Sequence, residues 1–326
     1  MKRSLIGLWP AAIGLAMLAL VPARAWADSR TIDFESPTYH SGSIDGQDGW
    51  GGGCPGLPIL PIIDQQIVIN AGAPPSFDGQ SWRFSDSWTD GQFGLWPFSP
   101  SLTNEAGETS AENGGCSGGV RQSHYEVQWD FTSADPSAEQ VGLQMSTAPD
   151  RGDGARMSYI RMEDKPGGLD VVFADYQSGV KEPGCITGAN FVQTLVASGL
   201  SRAAPHTIRL TMDFLDGPKN DIVKVYVDGS LRHTGTSWED YFRECEGTPT
   251  RTVDSQIFQA RGDTVVDSHL ANHGKGFLID NLSYSTARTP VSTADCKNGG
   301  WKNLTRADGS GFKNQGDCIQ YVTTGK

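Results

Sequence analysis

The stretch Asp221-Ile-Val-Lys-Val-Tyr-Val-Asp-Gly-Ser-Leu-Arg-His-Thr-Gly235 decides how the rest of the chain is read. A β-rich run stops at Asp228-Gly229 and a second alternating run leaves it. Asp-Gly tolerates the positive φ that a two-residue hairpin turn demands, so a β-hairpin is predicted here. On both sides of it, turn residues punctuate further runs of β-forming residues. Strands are predicted over 31–35, 66–70, 81–85, 124–132, 141–147, 156–164, 169–177, 191–197, 206–215, 222–228, 231–236, 252–259 and 277–285. Helical periodicity is nearly absent. The best short helix is 237–243, with Ser237 as N-cap and Asp240 at the capping-box position. Forty glycines fit a chain with many turns.

The alternation within two strands says which kind of sheet they build. Tyr125, Val127, Trp129 and Phe131 share one face of their strand, and His124, Glu126, Gln128 and Asp130 share the other. Ile208, Leu210, Met212 and Phe214 point one way, and Arg209, Thr211 and Asp213 point the other. Such strands belong to antiparallel sheets with one face buried and one wet. Two of them packed face to face make a sandwich.

Three segments carry a family resemblance. Thr31-Ile-Asp-Phe-Glu35 resembles an opening strand, the Asp228-Gly229 hairpin is the strongest match, and Gly276-Phe-Leu-Ile-Asp-Asn-Leu-Ser-Tyr284 resembles a closing strand. Together they resemble the concanavalin A-like (lectin/glucanase, laminin-G-like) jelly rolls. The resemblance implies an all-β, antiparallel two-sheet jelly-roll sandwich over 28–287, with the last strand returning beside the first. It points to a fold used mostly on glycans. Lectins, glycoside hydrolases, polysaccharide lyases and adhesion modules share that fold, so function has to be argued from a site.

The ends of the chain differ from its middle. Lys2 and Arg3 precede a mostly apolar stretch from Leu5 to Val21, and Ala25-Trp26-Ala27 has a small-x-small cleavage pattern. Residues 1–27 therefore read as a signal peptide, with the protein secreted or periplasmic. No later apolar run is long enough to span a bilayer, so membrane insertion is not expected. After Ser285 the composition shifts to a linker over 288–295. A small segment bracketed by cysteines follows over 296–326, too small for a core of its own and naturally stapled by a disulfide. Without Lys2, Arg3 and Arg24, 23 of the 26 basic side chains remain against 38 acidic ones. That balance argues against nucleic acid or an anionic membrane as partner.

Six cysteines in an exported chain read as disulfides. Context favours Cys54–Cys116, both in Gly-rich inserts, Cys185–Cys245, both in loops beyond strands, and Cys296–Cys318 around the tail. No C-x-x-C occurs, so a metal–thiolate site is not expected.

Candidate functional residues fall into three groups. Glu126-Val-Gln-Trp-Asp130 has the spacing that retaining glucanases of the resembled superfamily carry as Glu-x-Asp-x-Glu. The resemblance puts Glu126 on the nucleophile and Asp130 on the acid/base, with Gln128 in the tuning position and His124 beside them. Gln128 and the shorter Asp130 depart from that pattern. Cα atoms four residues apart on a strand lie roughly 13 Å from each other, whereas retaining carboxyls stand about 5–5.5 Å apart. A solvated polar face is the competing reading. Trp88 and Trp96, in Gly- and Ser-rich sequence, could stack on sugar rings, flanked by Arg156, Tyr159 and Arg161; core packing is the competing reading. Asp150 and Asp153, in a polar Gly-rich turn, suit a structural Ca²⁺, or are turn chemistry alone. No cofactor is required. The expected function is binding of an extracellular oligo- or polysaccharide in a groove on one sheet. The alternatives are a retaining glycoside hydrolase using Glu126 and Asp130, a lyase below it, and a non-catalytic envelope adhesion or structural protein.

Overall fold

The computed structural model describes residues 28–53, 58–59, 61, 63–70, 77–87, 96–102, 122–152, 154–247, 253–260, 270–307 and 310–325. Its strands are β1 (Asp28–Ile32), β2 (Gln65–Ile69), β3 (Gln80–Phe84), β4 (His124–Ser133), β5 (Gln144–Asp150), β6 (Tyr159–Lys165), β7 (Gly168–Tyr176), β8 (Phe191–Leu200), β9 (His206–Asp213), β10 (Ile222–Val227), β11 (Ser230–Gly235), β12 (Ser255–Ala260) and β13 (Phe277–Ala287). Each overlaps a predicted segment. They form two antiparallel sheets. The first runs β11-β10-β9-β4-β13-β3-β2, with β1 also paired to β13, and the second runs β12-β5-β6-β7-β8. The last strand thus returns beside the first, as a jelly roll requires.

The residues predicted to face inward do so. Tyr125, Val127, Trp129 and Phe131 of β4 and Ile208, Leu210 and Met212 of β9 are fully buried. They meet Met145 of β5, Ile160 and Met162 of β6 and Phe173 of β7 from the other sheet. Trp82 sits at the aromatic centre, 4.9 Å from both Trp50 and Phe258 by ring centroid and stacked on Phe84 at 5.1 Å. Buried aromatics of this size dominate core energetics.

The hairpin forms where the Asp-Gly pair placed it, with φ of 50° at Asp228 and 73° at Gly229. Asp228 does more than turn the chain. One carboxylate oxygen accepts the Thr207 backbone N–H at 3.0 Å and the other lies 2.9 Å from His206 Nδ1, so the turn is fastened to β9. The helix expected at 237–243 is shorter: α1 (Glu239–Tyr241) runs into a π turn, Phe242–Glu246. The N-cap is Trp238 rather than Ser237; Ser237, one residue earlier, accepts the Glu239 N–H, and Asp240 makes no capping box. Its carboxylate accepts the Lys219 N–H instead, because the 216–221 turn is packed against this segment.

Two expected disulfides form, Cys185–Cys245 and Cys296–Cys318. Cys54 and Cys116 lie outside the described residues, as do residues 1–27, where a signal peptide is expected. Beyond β13, Thr305 donates its N–H to Arg288 O, and Ser123 Oγ donates to Thr289 O. The 288–295 stretch is therefore hydrogen-bonded at both sides. Cys296, Cys318 and Phe312 form a small core with Trp301, Leu304, Ile319, Tyr321 and Val322, closed by α2 (Gln315–Thr324). Asn314 caps α2 by accepting the Asp317 N–H.

Candidate functional site on the outer face of the second sheet

Alternation along β6 turns Ile160 and Met162 into the core and Tyr159, Arg161 and Glu163 outward. The ladder sets Arg161 between Ser146 of β5 and Val172 of β7, and Tyr159 opposite Ala174. Beyond β7, Gln193 of β8 lies opposite Ala174 and Phe191 opposite Tyr176. A polar chain crosses these strands. Arg161 donates through Nε to Glu163 and through Nη2 to Gln193 Oε1 at 3.0 Å, and Gln193 Nε2 donates to the Tyr159 hydroxyl at 3.2 Å. The tyrosine and the guanidinium are thus held in fixed positions.

An aromatic surface adjoins this chain. Trp238, half-buried at the start of α1, is anchored by its own N–H to Met157 O and by its indole N–H to Ala174 O. Its ring lies edge-on to Tyr159 at 5.8 Å and to Phe191 at 4.6 Å. Tyr241 continues the patch, 5.0 Å from Phe191. The Arg156 guanidinium stands 5.8 Å from the Trp238 ring centroid, within cation–π reach. Behind the patch, the buried Tyr176 donates its hydroxyl to Glu244, and the Cys185–Cys245 bridge ties the 177–190 loop to the π turn. Sequence-distant elements are stitched into one platform.

Charge is unevenly tolerated here. Burial works against the Glu163 carboxylate, but Lys165 at 2.9 Å and Arg161 outweigh it and hold its pKa below the ordinary value. Burial pushes the Arg156 guanidinium down, against the pull of Asp150 and Tyr159.

The structure brings Tyr159, Arg161 and Arg156 to the second sheet, with Asp150 acting on Arg156, and leaves Glu126, Gln128, Asp130 and His124 on the first. Trp96 is not a stacking surface: it is buried in the core with 2% of its area exposed, because the 96–102 segment pairs with β12 through Phe98. Trp88 and Asp153 lie outside the described residues. Asp150 is buried, and one of its oxygens accepts the N–H groups of Gly152 and Gly154, the bonds of a turn. Among the described residues no group of three or more His, Cys, Asp or Glu is placed to hold a metal ion.

Glu126, Gln128 and Asp130 face outward from the first sheet, on the far side of the sandwich. Glu126 meets Arg209 at 3.4 Å. Asp130 accepts from Thr207 on one oxygen and from Asn281 Nδ2 on the other, at 3.0 Å. The two carboxylates therefore have separate partners. Directly across the ladder from Asp130, Asp280 is buried. Burial, with the charges of Glu35, Asp130 and Asp78, raises its pKa to about 8, although the Asn281 N–H pulls the other way. His124 is 4% exposed, with Nδ1 2.7 Å from Asp213 and no partner for Nε2 among the described residues.

Trp238, Phe191 and Gln193 were not among the expected site residues. Trp238 was read only as part of a capped turn, and nothing in the local pattern says that this turn folds over β7 and β8.

No protein-family model matches the chain, and no curated protein matches it in sequence. Solved structures resemble it in part. An alginate lyase solved as a double mutant with alginate trisaccharide, Aly36B, is 11% identical at a TM-score of 0.43, over 81% of this chain and 100% of that one. An alginate lyase from Pseudomonas aeruginosa is 12% identical at 0.36, over 63% of this chain and 82% of that one. A family GH16 endo-β-1,3(4)-glucanase is 10% identical at 0.33, over 80% of this chain and 95% of that one.

Proposed function

We propose that this protein binds an extracellular oligo- or polysaccharide on the outer face of the second sheet. The observation that supports it most is the half-buried Trp238 ring, fixed between Tyr159 and Phe191 beside the Arg161–Gln193–Tyr159 hydrogen-bond chain. Sugar rings offer an apolar face for stacking and hydroxyls at their rim. An aromatic surface bordered by oriented polar groups meets both needs. Export fits the disulfides, which persist in oxidising compartments.

A glycan array followed by titration calorimetry tests the reading. Wild type should bind a polymer, and Trp238→Ala should weaken binding about tenfold, the order expected for one lost aromatic contact. An array without ligands, or a folded Trp238→Ala protein that binds as wild type does, overturns it.

The hydrolase alternative needs one carboxyl free to attack and one to deliver a proton. Glu126 and Asp130 are each engaged with neighbours on the sheet, which favours a structural role for them. Cleavage of a bound polymer that disappears in Glu126→Gln would restore the alternative.

A further inference from the structure

The acidic balance of the chain conceals an opposite one in its last 31 residues. Residues 28–295 carry 18 lysines and arginines against 36 aspartates and glutamates, whereas 296–326 carry five against two. The tail segment has its own core, its own disulfide and a capped helix. Its cations are therefore held by a folded unit.

Their local placement is definite. Hydrogen bonds from Gly300 N–H to Lys297 O and from Lys302 N–H to Gly299 O wind 297–303 into one tight knuckle. Asn298 and Gly299 turn it with φ of 53° and 88°. Lys297 and Lys302 are exposed on this knuckle, and Lys302 Nζ stands 5.8 Å from the centroid of the half-buried Trp301 ring. The Cys296–Cys318 bridge fastens the knuckle to α2, whose lead-in carries exposed Lys313. Asp317 is already taken by Arg306 at 2.7 Å and by the Lys313 backbone N–H. Lys297, Lys302 and Lys313 form no ion pair among the described residues, although the Lys313 charge adds to the field that holds the Asp317 pKa down. Unpaired ammonium groups on a small rigid unit attract anions, and do so more weakly as salt rises.

We propose that the 296–326 unit is a docking module for a polyanionic polysaccharide, separate from the site on the second sheet. The ammonium groups meet sulfate, phosphate or carboxylate groups, and Trp301 offers the adjoining apolar face that sugar rings can cover. A lipid surface fits less well. Ile319, Tyr321 and Val322 of α2 turn toward the small core while Gln320, Thr323 and Thr324 are exposed, so the helix has no apolar face to insert. The sandwich is acidic in balance and repels a polyanion overall, so this module is the surface better suited to one.

The test uses the full secreted chain on immobilised dextran sulfate, with uncharged dextran as control. Wild type should be retained at low salt and released as salt rises. The surface triple variant Lys297→Gln/Lys302→Gln/Lys313→Gln, with its fold checked by circular dichroism, should bind about tenfold more weakly or worse and with a shallower salt dependence. Trp238→Ala should bind dextran sulfate as wild type does, which separates this module from the proposed glycan site. Failure of wild type to bind, or a triple variant that binds equally well, overturns the proposal. So does equal binding to phosphatidylglycerol vesicles, which would assign the lysines to a membrane. A concentration-dependent dimer lost in the triple variant would also overturn it, because the lysines would then meet the acidic sandwich of a second copy.

Discussion

The two outer faces of the sandwich obey the same alternation and come to different ends. On the first sheet, outward polar residues find partners within the sheet or on its borders: Glu126 with Arg209, Asp130 with Thr207 and Asn281, and Arg83 with Asp64. Arg209 also lies over the Tyr226 ring at 4.0 Å, covering the one aromatic on that side of the hairpin. On the second sheet, an element that belongs to no strand, the turn carrying Trp238 and Tyr241, is laid against the outward residues. A face whose groups satisfy each other is finished as structure. A face with rings held half-open beside oriented donors still has bonds to offer.

The largest expected effect tests the structural side of this contrast. Arg83 points outward from β3 yet is buried, bonded to both oxygens of Asp64 and to Lys275 O. Burial works against the Asp64 charge, but Arg83 and Ser85 keep its pKa below the ordinary value. Arg83→Met leaves that carboxylate without its cation and should cost about 3–5 kcal/mol in denaturant unfolding. Glycan affinity of the folded fraction should stay unchanged.

Titration should separate the faces by sign. Asp280 on the first sheet has its folded pKa raised to about 8, so between its ordinary value and about 8 the native state holds a proton that the unfolded state has lost. Its contribution to stability therefore falls as pH rises through that window, by at most about 1.4 kcal/mol per pH unit. Glu163 on the second sheet is depressed, so its contribution is present above its ordinary value and is lost as pH falls through the folded one. Unfolding midpoints between pH 3 and 9, roughly, should flatten from about pH 4 to about 8 in Asp280→Asn and at the acid end in Glu163→Gln.

Smaller effects sharpen the comparison. Trp238→Ala should lose about tenfold in glycan affinity, near 1.4 kcal/mol, with little change in urea midpoint. Smallest of all, Glu126→Gln should change stability by about 1 kcal/mol or less, as for other half-exposed ion pairs, and leave binding intact. A larger loss of binding in Glu126→Gln than in Trp238→Ala would reverse the assignment of the faces.

Much of the sandwich could be read in advance because period-two alternation is written locally. Tyr125 to Phe131 and Ile208 to Phe214 announce their buried faces, and Asp228-Gly229 announces its turn. Residues of the proposed site could be picked out as types: Tyr159, Arg161 and Arg156. Their partners could not. Gln193 reaches Tyr159 and Trp238 reaches Ala174 only because β6, β7 and β8 pair and the chain after β11 returns over them. Trp96 shows the reverse failure. Its Gly-rich surroundings suggested exposure, while the short bridges of Phe98 to Gly51 and Ile257 draw that segment into the core.

The clasp of Asp228 on His206 and Thr207 bears on the order in which this chain assembles. It makes β9, β10 and β11 a meander closed by short loops, whose second turn is latched to its first strand. The middle of the same sheet joins Ser133 to Phe277, a pairing between strands far apart in sequence. Loop closure favours local pairings kinetically. The hairpin end of the sheet is thus expected to pair before the seams that β13 makes with β4 and β1.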